Sequence, residues 1–379
     1  MRGASWTAAI RPAVALAAVL AATPAPAQNA YVTNSTGRTV SVIDTRTDRT
    51  VGAPIAAGLP LGVAVAPNGR RVYVTRPATD DVLVIDAWSN SAVGAPIPVG
   101  RFPVGIAVTP DGKRVYVANQ FASTVSVIDT RTNAVSGAPI PVGLRPYGVA
   151  IAPDGKRVYL TGAADDAVAV IDTRTDAVAG DPIPVGDDPR GIAVTPDGKK
   201  VYVANSLADT VTVIDTRTLE VAGDPIPVGD GPFGVAVAPD GKRVYVANAN
   251  ASTVSVIATR TDRVTGTPIA VGLNPFGIAV TPDGKKAYTA NFGAATATAI
   301  ELATGRAVAT IPVGFQPYAF GRFIQPVPAF AGTPGAERCT GQSLAAAAQR
   351  HGGAAAAARA LGYDDVSDLR EAIRDYCRD

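Results

Sequence analysis

Side chains able to do chemistry are scarce along this 379-residue chain, and their positions exclude several reaction classes. The only histidine is His351, the only cysteines are Cys339 and Cys377, and glutamate occurs only at Glu220, Glu301, Glu337 and Glu371. Between Gln28 and Gln325 there is neither cysteine nor histidine. Haem attachment, histidine-built zinc or copper sites, and Ser-His-Asp or Cys-His catalysis therefore have no ligands or nucleophile–base pairs in that stretch. Carboxylate-pair chemistry would have to use aspartates. No catalytic residue, metal ligand or cofactor is assigned from this inventory.

The aspartates recur at fixed positions. Asp111, Asp154, Asp197, Asp240 and Asp283 follow a proline and precede a glycine, where the side chain accepts hydrogen bonds from the turn's own backbone. Asp44, Asp86, Asp129, Asp172 and Asp215 close a second recurrent string in the same way. Cations stand beside the first set, as Lys113, Arg114, Lys156, Arg157, Lys199 and Lys200, so that end of each unit carries mixed charge. It reads as a solvated surface, with no strong nucleic-acid signal.

The element that positions these residues is a repeat. The turn begins at Pro67, Pro110, Pro153, Pro196, Pro239 and Pro282, every 43 residues, a period that marks a closed or stacked array. The following strands carry Tyr31, Tyr73, Tyr116, Tyr159, Tyr202, Tyr245 and Tyr288, which makes seven units. In the third, "GIAVTP" (Gly105 to Pro110) and "RVYVAN" (Arg114 to Asn119) flank a hairpin turn. "TVSVID" (Thr124 to Asp129) adds a third strand, and "SGAPIPVG" (Ser136 to Gly143) a fourth whose prolines suit an outer edge. The inner strand alternates large and small, Val63 and Val65 against Ala64 and Ala66, so both faces need cover and bulky residues of one unit can pack on alanines of the next. Radial repetition supplies that cover. The sequence predicts an all-β, seven-bladed β-propeller of four-stranded antiparallel blades. Its first unit lacks an inner strand, and "PYAFGRFIQP" (Pro317 to Pro326) is an inner strand without a successor, so the two termini should pair in one composite blade.

"YVTN" (Tyr31 to Asn34), "YVAN" at Tyr116, Tyr202 and Tyr245, and the recurrent "PDGKRVYV" and "VSVIDT" strings resemble the YVTN family of β-propeller repeat proteins, over Ala30 to Pro326. The resemblance implies an exported propeller, often periplasmic or at the cell surface, and little about its ligand. Wider relatives include lactonase-type propellers and propeller subunits of periplasmic redox enzymes.

One face differs from unit to unit. Just before the inner-strand glycine, or its alanine equivalent, stand Leu61, Val104, Tyr147, Arg190, Phe233, Phe276 and Tyr318, a set expected to rim one channel mouth. The preceding loops add Arg101, Phe102, Arg145, Asp187, Asp188, Asp230 and Phe315. After the second strand Asn34, Asn119, Asn205, Asn248 and Asn291 recur as expected loop caps, and Arg76 and Gly162 break the series. Aromatics at a loop-to-strand junction serve either as wedges between blades or as ligand platforms, and exposed variation on a rigid ring points to binding. The expected binding residues are Arg76, Arg101, Arg145, Tyr147, Asp187, Asp188, Arg190, Phe233, Phe276 and Tyr318.

The flanks read differently. Arg2 and Arg11, the apolar run Ala13 to Ala22 and "APA" (Ala25 to Ala27) predict a signal peptide over 1–27, too short in its apolar part to span a bilayer. Its removal leaves 32 basic residues facing 32 acidic ones, a neutral exported protein with no transmembrane segment. The propeller is expected over 28–327, a linker over 328–341 and an α-helical module over 342–379, with Val366, Leu369, Ile373 and Tyr376 on one face of its last helix. Cys339 and Cys377 flank that module and are expected to form a disulfide worth roughly 4 kcal/mol in the chain-entropy model. His351, before two glycines, suits a helix end.

The leading expectation is a non-catalytic exported propeller that binds a protein or other envelope partner through its variable face. A lactonase-type hydrolase or lyase using Asp, Asn and Arg at the channel mouth, with Ca²⁺ held by oxygen ligands, is the second. The third is an accessory subunit of a periplasmic redox system.

Overall fold

β-branched runs alternating with glycine- and proline-bearing turns fold as expected into a ring of seven antiparallel sheets. The structure, a computed structural model, describes residues 28–326 together with 354, 355, 366, 367, 369, 370 and 373. Blade 3 shows the pattern, with strands Pro103–Val108, Arg114–Asn119 and Thr124–Asp129 paired in that order from the channel outwards, the first pair shifting register by a bulge between Pro103 and Ile106 and the second running without a break. The fourth strand departs from the expected Ser136–Gly143. It is split into Ala134–Val135 and Ile140–Pro141, both paired to the third strand. Gly137, at φ 74, and Pro139 break the ladder between them. Blade 7 lacks that interruption, and its outer strand runs unbroken over Arg306–Pro312.

The composite blade forms as the sequence implies. The Tyr31 N–H donates to the Phe323 carbonyl (2.8 Å), Tyr318 N–H to Thr33 (2.7 Å), and Gln325 N–H to Asn29 (2.8 Å). The leader, the linker, both cysteines and His351 lie outside the described residues. So does the helical module except at isolated positions, of which Leu369 and Ile373 are buried.

The core lies between blades. Val63 and Val65 enter the cluster shared with blade 1, and Ala64 and Ala66 enter the next, where Ile106, Val115, Val117 and Ile128 of blade 3 meet them. A blade alone would leave both faces in water, so each blade depends on a neighbour on either side.

Polar clamps cross the same seams. Tyr116 donates to Asp176 of the next blade (2.8 Å), and Arg114 reaches the same carboxylate (3.1 Å) and the Thr173 carbonyl (2.8 Å). Lys200 and Tyr202 hold Asp262 (2.6 and 2.5 Å), and Lys286 and Tyr288 hold Asp48 across the closure. Half of the hairpin cations therefore serve the ring, in contrast to the expected solvated surface, while Lys156 and Lys199 are exposed. The recurrent aspartates behave as expected: Asp129 accepts from the Arg131 and Thr132 N–H groups, both at 2.9 Å.

Nearest the axis, backbone meets backbone. A Cβ on Gly62, Gly105, Gly148 or Gly191 would stand 2.1, 2.1, 2.3 or 2.1 Å from a carbonyl oxygen of the following blade. Only a residue without a side chain fits there. Gly148→Ala should lower stability by about 3 kcal/mol or more, because the obstacle is backbone and not a movable side chain. Gly137→Ala, whose Cβ meets nothing within 4 Å, should cost only the left-handed strain of about 1–2 kcal/mol. Urea denaturation of both variants beside the parent checks the order.

Candidate binding face and channel mouth

At one end of the ring, in blades 1, 3, 5, 6 and 7, the loop leaving the second strand donates a backbone hydrogen bond to the loop that feeds the innermost strand of the same blade. Phe121 N–H donates to Arg101, Leu207 N–H to Asp187, Gly293 N–H to Leu273, and Gly37 N–H to Phe315, each at 3.0–3.2 Å. The variable residues thus share one face, as expected.

The aromatics of that face do not form an open rim. Tyr147, Phe233 and Tyr318 are 5%, 8% and 8% exposed and pack into a plug with Phe276, Phe292 and Phe320. Phe233 stacks on Phe276 (4.5 Å between centroids) and meets Tyr147, Tyr318 and Phe320 edge-on at 5.7–5.9 Å. The cause is geometric: innermost strands converge, so bulky residues at their starts reach each other across the axis and exclude water. The Tyr147 and Tyr318 hydroxyls are hydrogen-bonded to each other. Burial pushes both phenols above their ordinary pKa, so they are neutral donors and not bases.

Arg190 closes the plug. Its guanidinium lies 4.5 Å from the Tyr147 ring centroid and pairs with both carboxylate oxygens of Asp188 (2.8 Å each). Both residues are at the expected mouth and are committed to each other. Arg101, Arg145 and Asp187 are exposed there.

The asparagines lie inside their blades. Asn119 is fully buried, and its Nδ2 donates to Thr124 (3.2 Å) and Ser126 (2.9 Å). The two departures from the series are compensated within their own blades. Arg76, with Asp81 in place of the threonine, makes a two-pronged ion pair (2.6 and 2.7 Å), so its head is held inside blade 2 and not offered to a ligand. In blade 4, Gly162 faces Ala167 across the ladder, and the Leu144 side chain fills the amide's place.

Sequence reasoning missed the residues most available for contact. Phe121, Leu207, Leu273 and Phe315 are 55%, 76%, 59% and 73% exposed around the plug, in blades 3, 5, 7 and 1. Phe315 was visible as a loop position. Phe121 and Leu207 both stand two places after the recurrent asparagine, where an apolar residue in a polar loop was the available signal. Among the described residues no cluster of His, Cys, Asp and Glu could hold a metal ion, and no helix is long and apolar enough to cross a membrane.

Ring, repeats and plugged mouth define a seven-bladed β-propeller consistent with the YVTN type. The YNCE-like beta-propeller family model matches residues 155–242, from the hairpin of blade 4 to that of blade 6. Among solved structures the chain is similar to Kuenenia stuttgartiensis hydrazine synthase at 25% identity and a TM-score of 0.65, over 76% of this chain and 99% of that one. It is also similar to a functionally unknown protein from Desulfotomaculum acetoxidans DSM 771 (18%, TM-score 0.67, over 77% and 99%). A candidate 6-phosphogluconolactonase from Bacteroides uniformis ATCC 8492 is alike in fold (18%, TM-score 0.64, over 79% and 99%). The search of curated proteins found no match.

Packing makes the plug a stability element. Phe233→Ala should lower stability by about 3–5 kcal/mol, whereas Leu207→Ala should stay within about 0.5 kcal/mol of the parent in denaturant titrations. A second test uses a polar group inside the blades. The Asn205 Oδ1 is buried without a hydrogen-bond partner, whereas in blade 7 Thr289 donates to Asn291 Oδ1 (2.8 Å). Val203 occupies the position equivalent to Thr289. An unpartnered buried hydroxyl costs roughly 1–3 kcal/mol. Val203→Thr should instead leave the unfolding midpoint nearly unchanged, because the new hydroxyl finds a waiting acceptor.

Proposed function

We propose that the chain is a non-catalytic, exported propeller that binds a protein or other envelope partner through the plugged face. The observation that carries the reading is the set Phe121, Leu207, Leu273 and Phe315, large apolar side chains left in solvent around a mouth whose other aromatics are packed away. Exposed apolar groups interspersed with Arg101, Arg145 and Asp187 have the composition of an interface with apolar anchors and a polar rim. Asp188 and Arg190 support the face by holding its plug shut. The apolar run before Gln28 supports export, after which an oxidising compartment would favour a Cys339–Cys377 bond stapling a helical C-terminal module.

Membership of a redox system as an accessory subunit is the second reading, favoured by the likeness to hydrazine synthase. A lactonase-type reaction has weaker support, since Asp188 is engaged by Arg190 and the mouth is filled.

Affinity capture from the producing organism's envelope fraction tests the face. Phe121→Ala, Leu207→Ala and Phe315→Ala should each weaken capture about tenfold, as hot-spot truncations do, with the fold intact by circular dichroism. Lys156→Glu and Lys199→Glu, at the other end of the ring, should leave it unchanged. The opposite pattern places the partner on the hairpin face, and a haem- or flavin-bearing partner selects the redox reading.

A further inference from the structure

The closing strand is longer than its counterparts. Pro103 and Val108 of blade 3 oppose Asn119 and Val115, while Pro317 and Ile324 oppose Asn34 and Ala30, so the same four-residue span of partner strand faces two more residues in blade 1. The surplus bulges at Ala319 (φ 42) and Gly321 (φ 121). Its direction is set by hydrogen bonds to a different blade. Val63 N–H donates to the Phe320 carbonyl (3.0 Å) and Val65 N–H to the Arg322 carbonyl (2.9 Å). In blade 2 the second strand pairs through Leu61, Gly62 and Ala66, so Val63 and Val65 turn their N–H groups to the channel. The segment Phe320–Arg322 therefore lies on the lumen side of blade 2, with Phe320 rising into the plug.

Arg322 is left in the lumen. The residue is exposed, yet desolvation by the surrounding protein lowers its pKa, as for a group that lies inside the ring with all seven blades around it. The other innermost strands contain no acid, and their one other cation, Arg190, is paired with Asp188 at the plugged end. Among the described residues no carboxylate pairs with Arg322. A guanidinium surrounded by protein and without a carboxylate partner lacks an anion.

We propose that the central channel binds a small oxyanion, a carboxylate or a phosphate, on the Arg322 guanidinium, and that the ligand enters through the hairpin-side mouth because the aromatic plug closes the other. The planar fork of donors suits either oxyanion. The site is separate from the apolar face, so partner capture and anion binding can fail independently.

Residue-resolved labelling tests this on the full chain. Phenylglyoxal should modify Arg322, and millimolar inorganic phosphate or malonate should slow that modification at least fivefold while leaving Arg131, exposed at a hairpin-side turn, unaffected. Protection by phosphate alone or by malonate alone names the oxyanion. Calorimetric titration of the Arg322→Gln variant with the protecting anion should show at least a tenfold loss of affinity at unchanged thermal midpoint. No modification of Arg322, no protection by either anion, equal protection of Arg131, or undiminished binding by the variant would overturn the proposal.

Discussion

Everything in this ring depends on one close approach. Seven sheets can surround a common axis only if their innermost strands come within backbone contact, and the sequence answers with glycine where one strand's Cα faces the next strand's carbonyl. In blades 1, 2 and 4 a threonine on the second strand reinforces the approach, Thr33 accepting from Ala319 N–H and donating to the Leu61 carbonyl (2.7 Å each). The Thr75 hydroxyl accepts from Gly62 N–H (2.8 Å) and donates to the Val104 carbonyl of blade 3 (2.8 Å), and Thr161 repeats this between Gly148 and Arg190 (2.8 and 2.9 Å). Blades 3, 5, 6 and 7 carry Ala118, Ala204, Ala247 and Ala290 at the same place, so there the glycine contact and the apolar seams suffice.

The repeated phrase is thus a list of joints. Its tyrosine and hairpin cation reach forward, its terminal aspartate shapes the turn, and the residue four places on, in left-handed conformation as Asp48, Asp176 or Asp262, is what the previous blade grips. Leu219 and Gly305 occupy that place in blades 5 and 7 and offer no carboxylate. Across the first seam Arg157 grips the Thr216 carbonyl instead. A clamp of this kind is short-ranged and partly exposed, so the apolar seam carries most of the stabilisation and the clamp sets register.

Periodicity made the fold legible. Strand identity, blade count and closure all follow from patterns that repeat six or seven times, where one ambiguous unit is corrected by the others. What did not repeat was legible only in part. Arg76 reads as an exposed cation until Asp81, five residues on, is seen to replace the threonine of the other units. Gly162 reads as a gap until Ala167 and Leu144 are seen to have changed with it. Both compensations are visible as paired departures within one chain. The aromatics were legible in position and, as one of two readings, in their packing, but not in their mutual contact: convergence of seven strands on one axis turns a rim into a plug, and a linear alignment contains no radius.

Closure makes the ring asymmetric. Six innermost strands are near copies, so what they present to the axis nearly repeats from blade to blade. The seventh arrives from the other end of the chain, carries two surplus residues, and need not obey the repeat. Phe320 and Tyr318 then contribute to the plug at one mouth, and Arg322 places the lumen's unpaired charge toward the other. The same strand that completes the fold therefore distinguishes the two ends chemically, closing one with aromatics and, in the oxyanion site proposed above, leaving the other to a charged ligand. A ring whose stability rests on sameness acquires its functional polarity where the chain stops repeating.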